Sequence, residues 1–130
     1  MQYQDYQHAV QQAAQLADQG DYAGAIQAFQ RLLASDVSDL DKAMMCLNIA
    51  LICGKMGQEE EALAWYNRGI SYERPYYRYQ LAERMAVYLA ERGRYQESLA
   101  MYRALLAERS LTEHEKERIR NNIALLQRNC

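Results

Sequence analysis

Residues 9–29 of this chain read AVQQAAQLADQGDYAGAIQAF, and the same pattern returns as CLNIALICGKMGQEEEALAWY at 46–66 and as AERMAVYLAERGRYQESLAMY at 82–102. Each segment contains one central glycine, and these glycines, Gly20, Gly57 and Gly93, lie 37 and 36 residues apart. Alanine stands seven residues before each glycine, a small residue five residues after it, and an aromatic residue nine residues after it. Agreement at several positions with a fixed period indicates a structural repeat.

Each repeated position has a physical role in a pair of helices. A glycine in the left-handed conformation ends a helix without the steric penalty of a Cβ atom. The small and aromatic residues that follow it are four positions apart, so they lie on one face of the next helix. We therefore expect antiparallel helix–turn–helix repeats in which small residues of one helix face a large residue of the other. Such a pair cannot bury its apolar face alone, so the repeats are expected to stack.

The repeats resemble those of the tetratricopeptide repeat family. The residues that carry the resemblance are Ala13, Gly20, Tyr22, Ala25 and Phe29 in the first repeat, Ala50, Gly57, Ala62 and Tyr66 in the second, and Ala86, Gly93, Tyr95 and Tyr102 in the third. The period exceeds the ~34 residues usual in the family, Glu59 replaces an aromatic residue, and Gly69 and Ser98 replace alanines. The resemblance implies an all-α fold, an α-solenoid wound as a right-handed superhelix.

The predicted helices span residues 5–19, 21–34, 39–56, 59–72, 76–92, 95–108 and 113–129. They make a single domain, 1–130, with repeats at about 5–37, 38–73 and 74–109 and a capping helix at about 112–129. Ser38 with Asp41, and Thr112 with Glu115, fit capping boxes in which a hydroxyl and a carboxylate satisfy the first backbone N–H groups. Pro75 suits the first turn of the fifth helix.

The last helix resembles the first helix of a repeat. Asn122-Ile-Ala-Leu125 copies Asn48-Ile-Ala-Leu51, and this alignment places the matching turn glycine at position 131. Two interpretations are open at this point. The segment is either a native capping helix, with a polar outer face that includes Arg120 and Gln127, or the start of a further repeat in a longer array.

Composition excludes several classes of protein. A single proline and six glycines argue against an all-β fold with its many turns. The net charge of −2 provides no broad basic field for nucleic acid or an anionic membrane. No apolar run approaches the ~20 residues that span a bilayer, and residues 1–12 are too polar for a secretory signal. The chain is therefore predicted to be cytoplasmic, without membrane contact.

No pattern of residues indicates catalysis or metal binding. The chain lacks a glycine-rich phosphate loop and a nucleophile elbow, and His8 and His114 are isolated from other ligands. Cys46 and Cys53 lie too far apart on one helix for a disulfide, and the odd total with Cys130 favours reduced thiols. We interpret the first two as small core residues. The prediction is a protein without enzymatic activity, cofactor or metal.

The resemblance implies that the first helices of the repeats line a concave groove that holds an extended peptide or a partner helix. The expected lining residues are Gln11, Met44, Leu47, Asn48, Leu51, Lys55, Gln80, Arg84, Val87, Asn121, Asn122 and Leu125. Asn48 and Arg84 occupy the position of a polar anchor that hydrogen-bonds a bound peptide. Of the five residues of the family's carboxylate clamp, only these two are matched, so an apolar-faced ligand is favoured over an acidic C-terminal tail.

A second candidate patch lies between the second and third repeats. It consists of Tyr72, Arg74, Tyr76, Tyr77 and Arg78. Tyrosine and arginine are enriched at the centres of protein interfaces, and aromatic rings interleaved with arginines also stack single-stranded bases. The alternative is a structural role, with the rings packed at the junction of two repeats.

These observations predict a protein–protein interaction scaffold that binds a peptide or partner protein in the groove. The chain is expected to be a monomer or a weak homo-oligomer. One alternative is an assembly element that mainly self-associates. A second, less favoured, is a single-stranded nucleic-acid binder.

Overall fold

The computed structural model describes residues 2–129, and every regular element in this range is helical. The residues form two compact units, one ending at Pro75 and one beginning at Tyr76, which we call the N-terminal and C-terminal units. The N-terminal unit contains α1 (Tyr3–Asp18), α2 (Tyr22–Leu33), α3 (Asp39–Lys55) and α4 (Glu59–Glu73). The C-terminal unit contains α5 (Gln80–Glu91), α6 (Tyr95–Leu106) and α7 (Glu113–Gln127). The all-α prediction is confirmed.

Consecutive helices pack against each other within each unit. In the N-terminal unit α1 contacts α2, α2 contacts α3 and α3 contacts α4; in the C-terminal unit α6 contacts both α5 and α7. Short turns join the partners, so α1 with α2, α3 with α4 and α5 with α6 are antiparallel pairs. Two other predictions, that the chain is a single domain and that it winds as a right-handed superhelix, concern the arrangement of both units together. They stay predictions.

The three repeat glycines end their helices with the same backbone geometry. Gly20, Gly57 and Gly93 have φ values of 87°, 74° and 78°, in the left-handed region that favours glycine. In each turn the glycine N–H donates to the carbonyl three residues before it, and the next N–H donates to the carbonyl five residues before its own position, at 2.8–3.1 Å. This is the Schellman motif, which satisfies the last carbonyls of a helix. The predicted role of the three glycines is confirmed.

The small and aromatic positions of the repeats form the joints between paired helices. Ala13, Ala50 and Ala86 in the first helices are fully buried, as are Ala25, Ala62 and Ser98 in the second helices. The aromatic residues four positions later, Phe29, Tyr66 and Tyr102, are each only 2% exposed. Small residues allow the two backbones to approach closely, and the aromatic ring fills the remaining space at native packing density.

Ser98 adds a hydrogen bond to the joint of the third repeat. Its hydroxyl donates to the carbonyl oxygen of Ala86 at 2.6 Å, inside the C-terminal unit. The hydroxyl is therefore satisfied, and serine fits a position that holds alanine in the other two repeats.

We expect Ser98→Ala to lower the free energy of unfolding by about 0.5–1.5 kcal/mol, because one buried hydrogen bond is lost without a steric change. Urea denaturation measures the difference. Ser71→Ala is the matched control, because the Ser71 hydroxyl also donates to a helical carbonyl at 2.6 Å but is exposed to water. Equal effects of the two substitutions would contradict the assigned role of Ser98.

The two predicted helix caps are present, but only one is a complete capping box. The Thr112 hydroxyl accepts the Glu115 N–H at 3.1 Å, and the Glu115 carboxylate accepts the Thr112 N–H at 3.0 Å. These hydrogen bonds to Thr112 hold the pKa of Glu115 below its usual value. At α3 the Ser38 hydroxyl accepts the Asp41 N–H, but the shorter Asp41 side chain accepts from the Ser38 hydroxyl instead of its backbone N–H.

The fifth helix begins later than predicted. The prediction placed its start at residue 76 with Pro75 in the first turn, whereas α5 begins at Gln80 and Arg74–Tyr76 form a short 3₁₀ turn after α4. Tyr77 has a φ of 58°, in the left-handed region that L-residues adopt at a steric cost. A residue in this conformation cannot continue a right-handed helix, so the chain turns at Tyr77 before α5 begins.

The two cysteines of α3 are core residues. Cys46 and Cys53 are buried free thiols. Burial raises the pKa of Cys46 to about 11, with a small opposing effect of Arg68, and burial also raises the pKa of Cys53. Thiols with raised pKa values are poor nucleophiles. The interpretation as small core residues is therefore confirmed for both, whereas Cys130 lies outside the described residues.

Candidate functional site

One repeat position, six residues before the turn glycine, carries an exposed apolar side chain in three successive first helices. Leu51 in α3, Val87 in α5 and Leu125 at the matching position of α7 are 38%, 43% and 54% exposed. The corresponding residue of α1 is Ala14, which is also exposed. Folding normally removes such side chains from water. The same repeat position therefore carries an exposed apolar side chain in both units.

In the N-terminal unit, the predicted lining residues of α3 form a stripe along one side of the helix. Met44, Asn48, Leu51 and Lys55 follow each other at intervals of four, three and four residues, which places them on one face. Asn48 is half-buried, and the other three are exposed. Gln11 of α1 is also exposed.

A half-buried tyrosine of α1 lies near Asp41 of α3. The Tyr6 hydroxyl is hydrogen-bonded to the Asp41 carboxylate. Burial, followed by the nearby Asp41 charge, raises the pKa of Tyr6 to about 12. The phenol therefore stays protonated at neutral pH and keeps its hydrogen bond.

The prediction that Leu47 lines an open surface is wrong. Leu47 is 3% exposed and belongs to the core of the N-terminal unit. Leu47 follows Met44 by three residues and precedes Leu51 by four, so helical spacing places it next to the stripe. Its burial assigns it to the packed side of α3.

In the C-terminal unit, α5 carries Gln80, Arg84 and Val87 on one face at intervals of four and three residues, and all three are exposed. The Arg84 guanidinium has no ion-pair partner among residues 2–129. This side of α5 therefore presents an apolar side chain and an available cation, one helical turn apart.

On α7 one of the predicted residues, Asn122, lies beside a polar network. Arg118 forms a bidentate ion pair with Glu83 of α5, with nitrogen–oxygen distances of 3.0 and 2.6 Å. Asn122 is half-buried and hydrogen-bonded to the Tyr102 hydroxyl, so its side chain is already engaged. Burial and the Glu83 charge raise the pKa of Tyr102, and the hydrogen bond with Asn122 opposes them. Sequence reasoning did not predict this network.

A shallow depression lies along α7 beside this network. Its volume is about 470 Å³, and it is lined by His114, Glu117, Arg118, Asn121 and Asn122. Leu125 follows on the same helix and is exposed. The amides and the adjacent apolar side chain give this surface both hydrogen-bonding and hydrophobic character.

The residues of the second predicted patch differ in their exposure to water. Tyr72 is half-buried, and the Lys42 ammonium lies 5.9 Å from its ring centroid, which is a cation–π contact inside the N-terminal unit. Arg74 is exposed at the end of the same unit. Tyr76, Tyr77 and Arg78 are exposed in the C-terminal unit. Tyr72 therefore has a structural role, and the remaining aromatic residues of the patch are open to water.

Within residues 2–129, no three His, Cys, Asp or Glu side chains are grouped so that they could bind a metal ion. None of the helices in this range has the length and apolar character needed to cross a bilayer.

Comparison with known proteins identifies a family and a structural neighbour. The family model described as a domain of unknown function, DUF6340, matches residues 11–91, more than half of the chain. The fold is similar to the crystal structure of the Yersinia enterocolitica type III secretion chaperone SycD in complex with a peptide of the translocator YopD. The TM-score is 0.68 at 18% sequence identity, over 98% of this chain and 96% of that chain. No curated protein sequence matches.

Proposed function

The chain belongs to the DUF6340 family, and we propose that it is a helical-repeat scaffold that binds a peptide, or a segment of a partner protein, at exposed faces of its first helices. The faces in question carry Leu51 on α3, Val87 on α5 and Leu125 on α7. The tetratricopeptide-like pattern of the repeats supports this proposal, since such repeats commonly present their first helices to a ligand.

The observation that carries the proposal is the recurrence of these exposed apolar residues at one repeat position. The position three residues earlier holds a polar side chain in each helix: Asn48, Arg84 and Asn122. An apolar contact beside a hydrogen-bonding group is the combination that a peptide needs, because its backbone must keep hydrogen bonds when its side chains leave water. Asn48 and Arg84 suit this role, whereas Asn122 already bonds Tyr102.

The structural neighbour supports the same class of function by analogy of fold. That protein is a chaperone crystallised with a peptide. Similar folds serve unrelated functions, so the analogy extends to peptide binding in general and the exposed residues of this chain determine the ligand. The apolar side chains favour a ligand with apolar anchors, and the exposed Arg84 guanidinium favours a carboxylate or carbonyl near one of them.

The test begins with selection of random displayed peptides on the wild-type protein, followed by calorimetric titration of the enriched sequences. We expect Leu51→Asp with Val87→Asp to weaken binding at least about tenfold, or about 1.4 kcal/mol, because a bound peptide would bury unpaired carboxylates. The free energy of unfolding should change by no more than about 0.5 kcal/mol per exposed site.

The matched control is Ala64→Asp with Ala100→Asp, which adds the same charges to exposed positions of the second helices α4 and α6. This control should bind like the wild type. Equal affinity of the wild type and the Leu51→Asp, Val87→Asp variant, or failure to enrich any peptide, would refute the proposed function.

A further inference from the structure

A second depression lies in the C-terminal unit, where the turn before α5 meets the segment after α6. Its volume is about 510 Å³, within the range of ligand sites, and it is lined by Tyr77, Tyr79, Ala107, Glu108, Arg109 and Ser110. It shares no residue with the exposed faces of α3, α5 and α7 described above. An inference about this depression is therefore independent of the proposed function.

Tyr77, in the lining of this depression, has an unfavourable backbone conformation and is exposed to water. It is the one non-glycine residue within 2–129 with a positive φ, 58°, and its side chain is 72% exposed. A left-handed conformation is unfavourable for a residue with a Cβ atom, and an exposed aromatic ring forgoes the gain from burial. Backbone strain of this kind concentrates at sites of binding and catalysis.

A second aromatic residue of the lining, Tyr79, is held in place by hydrogen bonds. The Tyr79 hydroxyl lies 2.8 Å from the Ser110 hydroxyl and donates to the Glu108 carboxylate at 3.2 Å. These contacts tie the turn before α5 to the segment after α6. The Tyr79 ring is therefore a fixed wall, and a preorganised wall reduces the entropy lost when a ligand binds.

The C-terminal unit that contains the depression is positively charged. The C-terminal unit, residues 76–130, has ten basic and seven acidic residues, a net charge of +3. Arg94, Lys116 and Arg118 form ion pairs inside the unit. Arg109 in the lining and Arg78 beside Tyr77 are exposed and have no ion-pair partner among the described residues. Two exposed guanidinium groups are thus available here, since Arg109 lines the depression and Arg78 follows Tyr77 in the sequence.

We propose that this depression binds an acidic peptide segment that contains an aromatic residue. The aromatic side chain of the ligand stacks on Tyr77 against the wall formed by Tyr79. Carboxylates before and after it pair with the guanidinium groups of Arg78 and Arg109, which suit planar, bidentate recognition. The positive field of the C-terminal unit increases the rate at which such a ligand arrives.

A peptide fits this depression better than single-stranded nucleic acid does. Nucleic acid requires a basic groove that follows the phosphate backbone past several stacking rings. Here one strongly exposed ring, Tyr77, lies in the lining, which is too few for successive bases to stack. A short acidic segment needs only one aromatic contact and two ion pairs, and the depression offers both.

The probe is a fluorescein-labelled octapeptide, DEDWEDEE, titrated with the full chain and followed by fluorescence anisotropy. We expect saturable binding that weakens as salt is added. Tyr77→Gly and Arg109→Glu should each weaken it at least about tenfold. Tyr77→Gly should also melt no earlier than the wild type, because glycine adopts a positive φ without strain. Its loss of binding would therefore report the ring and not a damaged fold.

The controls separate this site from general charge effects. Arg103→Glu removes an exposed cation of α6 outside the depression, and it should retain at least half of the wild-type affinity. The peptide DEDAEDEE, which lacks the ring, should bind at least about tenfold more weakly. No saturable binding of DEDWEDEE to the wild type, or equal binding by Tyr77→Gly, overturns the proposal. Tighter binding of an oligothymidylate, lost in Tyr77→Gly, would overturn it in favour of nucleic acid.

Discussion

Ala50→Trp is expected to lower the free energy of unfolding by at least about 1–3 kcal/mol and to reduce the melting temperature accordingly. Ala50 is fully buried in α3, which packs against α4. The helices approach closely because Ala50 and Ala62 are both small. An indole at this position would push the helices apart or force strained rotamers. Thermal unfolding followed by circular dichroism measures the effect.

The matched control is Ala64→Trp, which places the same ring on the exposed side of α4. It should melt within a few degrees of the wild type, because surface substitutions usually change stability by less than about 0.5 kcal/mol. If the Ala50→Trp and Ala64→Trp variants have the same melting temperature, the close packing of α3 against α4 at Ala50 is contradicted.

Removal of residues 111–130 should abolish the cooperative unfolding of the C-terminal unit. α7 packs against α6, and its residues Ile119 and Leu126 are buried in the intact chain. Their removal exposes the facing surface of α6, at a cost of about 1.5–3 kcal/mol for each buried aliphatic side chain lost. A terminal repeat without a polar cover aggregates. Size-exclusion chromatography and a thermal melt measure solubility and cooperativity.

The control for this truncation is Arg118→Ala in the full chain. It removes the ion pair with Glu83, which lies partly in water, and should cost no more than about 1 kcal/mol. A truncated protein that stays soluble and melts cooperatively at the wild-type temperature would show that α7 is an appendage rather than a cover.

Local rules explain what could be predicted from the sequence. A left-handed turn after a helix requires glycine, so Gly20, Gly57 and Gly93 locate the three turns by themselves. Helical spacing also predicted that the small and aromatic residues after each glycine lie on one face of the next helix. Pro75 was misleading, because a proline suits both the first turn of a helix and the short 3₁₀ turn in which it lies.

The candidate surface was predictable in part. Helical spacing separates the exposed stripe of α3 from its packed side, but the resemblance also assigned Leu47 to the stripe. Only burial distinguishes Leu47 from Leu51, because both are leucines on the same helix. The sequence predicted that Asn122 lies on α7. It did not predict the hydrogen bond between Asn122 and Tyr102, because the two residues belong to different helices.

The sequence by itself determined the repeat, the helical class and the turns, because these depend on neighbours within a few residues along the chain. Tertiary structure decided which distant polar groups meet. Glu83 and Arg118 are 35 residues apart, and Tyr79 and Ser110 are 31 apart. Tertiary structure also determined that Tyr77 adopts a left-handed conformation and is exposed to water. Such contacts depend on how whole helices pack, and no spacing of residues along one helix encodes them.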